Sequence, residues 1–185
     1  LDDVNAGRKA TNYLIEAGHR RIACLHPTGQ LSGWHRYQGY RHALDAHQIV
    51  YDDRLDKVID NGKNATQPVP TQIAFLIKQI LALGNERPTA IVFYNDTMTL
   101  HGYRCLEEAG LRIPDDMSLI SFDDSERALQ PAAQLTGVIH PKYYLGKWAA
   151  EMLLGQIEAP APHFPLHLLI APTLAERDSV KRLSH

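Results

Sequence analysis

Residues 90–98 read AIVFYNDTM. Ala90 to Phe93 form an apolar run of the kind expected of a strand covered on both faces. The run ends not in a Gly-rich turn but in Tyr94-Asn95-Asp96. An aromatic ring, an amide and a carboxylate are therefore aimed at the tip of a buried strand. What the flanking chain builds around that tip decides both fold and function.

Working outward, short apolar runs alternate with helical periodicities. Upstream, Asp2 or Asp3 can N-cap a helix with Gly7, Ala10, Leu14 and Ala17 on one face and Gly18 at its C′ position. A buried strand follows at Arg21 to Leu25. Ser32 then caps a helix carrying Tyr40, Ala43, Leu44 and His47. Residues 48–70 are polar and Pro-rich, with a short strand near Lys57 to Ile59. Ile73, Leu76, Ile77, Ile80 and Leu81 mark an amphipathic helix ending at Gly84. Downstream of Phe93, Asp96 caps a helix to Ala109, closed by Gly110, and Met117 to Phe122 is another strand. This rhythm predicts an α/β fold, a mostly parallel sheet with helices on both faces.

Beyond Asp124 the texture changes. Residues 125–140 read as loop with an extended piece at Leu135 to Ile139. Leu145, Trp148, Ala149, Met152 and Leu153 form one more amphipathic stripe. The linker APAPHFP follows, and LHLLIAPTLAERDSV reads as one or two strands interrupted by Pro172.

Composition narrows the function classes. The 185 residues carry a net charge of −2 and 44% hydrophobic residues, the balance of a soluble globular domain. No Lys/Arg block suggests a nucleic-acid surface, and no apolar stretch reaches the ~18–20 residues that span a bilayer. No signal peptide is visible, although the chain starts without Met, as a trimmed piece would. Cys24 and Cys105 lie in separate apolar runs and read as two buried thiols rather than a disulfide. Nucleotide-loop, serine-hydrolase and zinc-protease signatures are missing. His35 and His42 share a helix face near His47, but no further ligand stands at metal spacing. Adjacent Asp123 and Asp124 point apart at a strand end and make a poor acid–base couple.

In an open parallel sheet, ligands bind beyond the carboxyl ends of the strands. The tips here are His26 to Gly29, Tyr94 to Asp96 and Phe122 to Asp124, with Arg36 on the first turn of the helix after the first strand. One guanidinium, one amide, carboxylates and aromatic rings suit a neutral polyhydroxylated ligand, whose hydroxyls both donate and accept. Arg36 and Asp123 would anchor hydroxyls, Asn95 would add direction, and Trp34, Tyr94 or Phe122 would stack. Against this stand plainer roles: Asp96 as a cap, Asp124 as a turn residue, Arg36 as the partner of a surface carboxylate.

Several blocks are collinear with one family. The run D-x-x-x-G-x-x-x-A-x-x-x-L-x-x-x-GHRRIA (Asp3 to Ala23) resembles the effector-binding domain of LacI/GalR-type bacterial transcriptional regulators. So do R-x-x-G-Y-x-x-AL (Arg36 to Leu44), PTAIVFYND, GLRIPDDMSLISFDD, LTGVIHPKYYLG and the closing ERDSV. YND with His140-Pro141-Lys142 is similar to the arabinose-responsive repressors, which carry a GntR-type winged-helix head.

The resemblance implies a periplasmic-binding-protein-like fold of two lobes with the ligand between them. Residues 1–140 and 172–185 would form the second lobe, and 141–171 an excursion into a first lobe outside this chain. It also implies ligand roles for Arg36, Asn95 and Asp123, with His140 where a hinge Gln is frequent and His101 where Gly is common. The implied function is effector sensing in a cytoplasmic, homodimeric repressor, without catalysis or cofactor. The effector would be a small polar molecule, a sugar such as L-arabinose, and operator DNA would be met through a head outside this chain. Two alternatives remain: a secreted solute-binding protein of the same fold, and a small α/β enzyme using Asp123 or Asp124 as base. The stripe Leu145 to Leu153, without its first lobe, is expected to pack back on the second lobe or onto another copy.

Overall fold

The computed structural model describes residues 1–129, 134–158 and 167–183. Six strands form one sheet: β1 (Ile22–Pro27), β2 (Asp56–Ile59), β3 (Ala90–Phe93), β4 (Ser118–Asp123), β5 (Thr136–Ile139) and β6 (Thr173–Ala175). Their order is β2-β1-β3-β4-β5-β6, parallel throughout except for β6, which runs antiparallel to β5. The chain leaves β1 toward β2 in one direction and β3 continues in the other. The topological switch point therefore lies between β1 and β3, and both strands aim their carboxyl ends at it.

Among the described residues four helices cover the sheet, α1 (Asp3–Glu16), α2 (Leu31–Ala46), α3 (Val69–Leu81) and α4 (Asp96–Glu108), and a fifth, α5 (Lys142–Glu158), follows β5. The strand pleat sorts the core into two layers. Ala23, Leu25, Ile91, Phe93 and Leu119 face Ile73, Ile77, Ile80 and Leu106 on one side. Ile22, Cys24, Val92, Ile120 and Phe122 face Ala10, Leu14, Tyr40 and Leu44 on the other. Every residue of β3 is buried, which accounts for its unbroken apolar run.

Helix starts differ from expectation at α2 and α4, while α1 takes the first of its two candidates. Asp2, not Asp3, caps α1, its carboxylate accepting from the Asn5 amide at 3.0 Å. Ser32 does not cap α2, which begins a residue earlier after an uncapped Gln30; its hydroxyl meets the Tyr94 hydroxyl at 3.0 Å instead. Asn95, not Asp96, caps α4, accepting from the Met98 amide at 2.9 Å. At α1 and α4 two polar residues compete for one cap, and the one left over is drawn into a tertiary contact; at α2 no side chain caps the helix. His101 causes no break in α4. Cys24 is buried, Cys105 half-buried, and both are free thiols.

Helix α5 buries none of its residues, so of the two expected covers, the second lobe or another copy, the first is not seen. Tyr143, Tyr144, Leu153, Leu154 and Ile157 are exposed, while Trp148 and Met152 border a shallow groove with Leu168 to Ala171. Its apolar residues are spread around the helix rather than confined to one stripe, so no single face can be turned inward. The linker APAPHFP lies outside the described residues. Downstream of it one strand forms, β6, starting directly after Pro172.

Helices α1 and α2 approach backbone to backbone. A methyl on Gly39 would lie 2.0 Å from the Val4 carbonyl oxygen, and one on Gly7 would lie 2.0 Å from that of Arg36. At the outer edge, β2 is pinned through Asp56. Its carboxylate accepts from Tyr37 and Tyr51 at 2.7 Å each, and the His26 ring nitrogen lies 2.9 Å away. The His26 and Tyr37 rings stack at 4.3 Å.

Two outcomes follow from this packing. Gly39→Ala, which helix propensity alone would favour by about 1 kcal/mol, should instead lower the urea unfolding free energy by about 2–3 kcal/mol through overpacking. The second concerns pH. Burial raises the Asp56 pKa, but the hydrogen bonds from His26, Tyr37 and Tyr51 outweigh it and leave the carboxyl below its ordinary value. Its stabilisation is therefore present above the unfolded value of roughly 3.9 and is lost as pH falls toward the lower folded value. Asp56→Asn should lose about 2 kcal/mol at pH 7 and show a flatter acid limb in denaturation curves taken across that window.

Candidate functional site

The site gathers at the carboxyl ends of β1, β3 and β4. Arg36, one turn and a half into α2, reaches back over the switch point and is buried at 7% exposure. Its Nε donates to Asp3 Oδ1 at 2.8 Å and its Nη1 to the Tyr94 carbonyl oxygen at 2.7 Å. The guanidinium lies over the rings of Phe122 at 4.6 Å and Tyr94 at 5.0 Å. Toward Asp123 Oδ1 the distances from Nη1 and Nη2 are both 3.4 Å, at the long limit of a hydrogen bond. The expectation of a surface carboxylate partner is thus replaced by a half-buried one, Asp3.

Asp123 ends β4 in a left-handed conformation, with φ of +87°, and Asp124 follows at +45°. Two such residues in succession cost about 1–3 kcal/mol each and persist only where the surroundings hold them. Here they are held from both sides. Asp96, fully buried, accepts from the Ser121 hydroxyl at 2.8 Å and the Ser125 amide at 2.6 Å, and Ser121 is in turn met by the Thr99 hydroxyl at 2.9 Å. Asp124 pairs with Arg177 Nη2 at 2.7 Å. The first residue of α4 thereby latches the turn after β4, so that Asp123 stands beside Arg36.

Of the residues singled out in the sequence, the structure brings Arg36, Tyr94, Asn95 and Asp123 to one edge of the sheet. Asn95 commits its side-chain oxygen to the α4 cap, so what it can offer a ligand is its amide N–H. Phe122 is buried beneath Arg36 and presents no face to the crevice, which corrects its expected stacking role. Trp34 is half-exposed but leans on Tyr37, with ring centroids 5.7 Å apart, on the β1–β2 side of α2 rather than against Arg36. His140 follows β5 and lines a recess of about 600 Å³ with Asp96, Thr97, Asp123, Asp124, Ser125, Glu126 and Lys142. Burial holds the His140 imidazole below its usual pKa; Asp123 opposes this and Arg36 reinforces it. The ring is therefore neutral near pH 7.

Sequence reasoning missed Asp3 and the latch at Asp96. A surplus acid was the available signal in both cases: Asp2-Asp3 and Asn95-Asp96 each supply two candidates for a single cap.

The geometry has counterparts among known proteins. Residues 11–180 match the periplasmic binding protein-like domain. The arabinose metabolism transcriptional repressor of Geobacillus stearothermophilus is 33% identical over 183 residues, 99% of this chain and 49% of the relative. A repressor named PurR from Vibrio atlanticus is 37% identical over 181 residues, 96% of this chain and 51% of that protein. Among solved structures, the regulator CelR in complex with cellobiose superposes with a TM-score of 0.82 at 30% identity, covering 97% of this chain and 52% of that one. A LacI-family regulatory protein from Chloroflexus aggregans gives 0.85 at 30% identity, with coverages of 98% and 63%. The chain spans about half the length of the curated relatives it matches. It belongs to the periplasmic binding protein-like domain family of LacI-type transcriptional regulators.

Proposed function

We propose that this chain is the effector-binding portion of a cytoplasmic transcriptional repressor whose effector is a neutral polyhydroxylated molecule, a sugar. One observation carries the reading. A buried, pre-oriented guanidinium stands next to a carboxylate it barely touches, at the switch point of a parallel sheet. A sugar hydroxyl pair can insert there, donating to Asp123 and accepting from Arg36, with little to displace.

Charge favours a neutral ligand over an anion. Asp96, Asp123, Asp124 and Glu126 line the recess against one lysine, Lys142; Arg177 answers Asp124, and neutral His140 adds no positive charge. A phosphorylated or carboxylated effector would meet repulsion there. The relatives described as arabinose and ribose repressors, and the regulator solved with cellobiose, are consistent with a sugar. L-Arabinose is the first candidate. Those relatives are repressors rather than enzymes, and the crevice acids are used structurally, Asp96 as a latch and Asp124 as an ion pair.

We place the second lobe at residues 1–140 and 172–185, and assign 141–171 to a first lobe whose remainder lies outside this chain. The uncovered apolar helix α5 supports this division. An effector bridging the lobes would bias their closure through differential affinity, typically about 1–3 kcal/mol, and homodimer contacts would pass the change to DNA-binding heads.

The test is calorimetry on the chain extended upstream of Leu1, titrated with pentoses, hexoses and disaccharides. Stoichiometric binding of a neutral sugar is expected. Arg36→Ala should weaken it about 10–100-fold, the loss of one or two charge-assisted hydrogen bonds. Binding only of phosphorylated or carboxylate ligands would overturn the reading, and a secretion signal encoded upstream would move it to a secreted binding protein.

A further inference from the structure

We propose that Asp3 is a positioning residue for the effector site: it holds the Arg36 guanidinium off Asp123, keeping both groups available to a ligand. The role of Arg36 as an effector ligand is taken from the function proposed above; the positioning itself rests on geometry alone.

The two residues are 33 positions apart, and the helix crossing brings them together. Asp3 lies one turn before Gly7 on α1, and Arg36 lies one turn before Gly39 on α2. Because a methyl on either glycine would strike the facing backbone, the helix axes come close enough for the Asp3 carboxylate to meet the Nε edge of the guanidinium. Asp3 also sits in the first turn of α1, where the helix dipole favours a negative charge. Its start is fixed on both sides: Asp2 caps the helix and its amide donates to the Ile170 carbonyl at 3.0 Å.

A guanidinium and a carboxylate left to themselves close into a bidentate pair at about 2.7–2.9 Å. Arg36 and Asp123 do not; both of their contacts stand at 3.4 Å. The difference lies at the other edge of the fork. Asp3 takes Nε at 2.8 Å and the Tyr94 carbonyl takes Nη1 at 2.7 Å, so turning toward Asp123 would break two good bonds. Without Asp3 one of those restraints disappears, and the arginine is expected to swing onto Asp123 and close the site on itself. Asp3 is one residue from the bond to Ile170, in the segment assigned above to the interlobe crossing. The orientation of the arginine is thus tied to the hinge.

The experiment follows the Arg36 Nε–H by nitrogen-15 NMR in the 185-residue chain, without ligand. In the wild type this proton, bonded and buried, should exchange slowly with solvent. Asp3→Ala should speed exchange at least tenfold, and Asp3→Asn, which keeps an acceptor oxygen but not the charge, should fall between. Unchanged exchange in both variants would overturn the proposal. Should Asp3→Ala fail to fold, wild-type exchange in Asp3→Asn alone would do the same. The sugar found by calorimetry is then titrated into the extended chain carrying each variant, with at least tenfold weaker binding expected for Asp3→Ala and partial recovery for Asp3→Asn. Altered exchange with no sugar bound by any form would refute the effector reading and leave the positioning role standing.

Discussion

Taking a guanidinium out of water costs several kcal/mol unless its N–H groups find acceptors and its charge a partner. Arg36 is buried at the point where β1, β3 and β4 end, and much of the surrounding architecture answers that requirement. The glycine crossing of α1 on α2 delivers Asp3. The carbonyl of Tyr94, turned inward because β3 has just ended, accepts a second bond. The rings of Tyr94 and Phe122 shield the flat face. A charge satisfied this fully is held in one orientation, which is what the proposed recognition of hydroxyl patterns would need.

This explains why the fold could be read from the chain while part of the site could not. The two periodicities, the Gly-closed helices and the buried runs such as Ala90 to Phe93 are local signals, and they produced the sheet and both of its layers. Arg36, Asn95 and Asp123 are also singled out in the sequence, as polar residues at or just beyond strand ends, and the structure brings them to one end of the sheet. What stayed hidden depends on pairing across the sequence. Asp3 with Arg36 spans 33 residues and Asp96 with Ser125 spans 29, and neither spacing has a period. The same is true of Phe122. Its apolar character fitted both a stacking platform and a support beneath the arginine, and only depth in the structure separates the two.

Helix α5 makes the converse point. Its apolar content was legible as a demand for cover, but where the cover comes from is not a property of the helix. Six or more large side chains around one helix, left wet, each forgo about 1.5–3 kcal/mol of burial. A helix of this kind is an element of an interface, and its neighbour in space, the stretch Leu168 to Ala171, is apolar as well. Both segments leave the sheet near the same place, β5 before α5 and β6 after Ala171, and Ile139 pairs with Thr173 where they part. The chain leaves and rejoins the sheet at one place, the arrangement that the proposed division into two lobes needs.

The segments that leave and rejoin the sheet therefore lie next to the candidate site. Asp123 is in register with Ile139, the last residue before the chain leaves along α5, and His140 lines the same recess. The Asp2 amide bonds Ile170 on the returning segment, and the next residue holds Arg36. On the function proposed above, an effector that pulls on Asp123 or Arg36 pulls on close neighbours of both segments, the one leaving after β5 and the one returning before β6. The strained turn at Asp123 and Asp124, fixed from behind by Asp96 and Arg177, keeps that pull from being absorbed locally. On the two-lobe reading proposed above, a soft turn would let the site adapt around the ligand with the lobes unmoved, whereas a stiff one would leave lobe closure as the cheaper response.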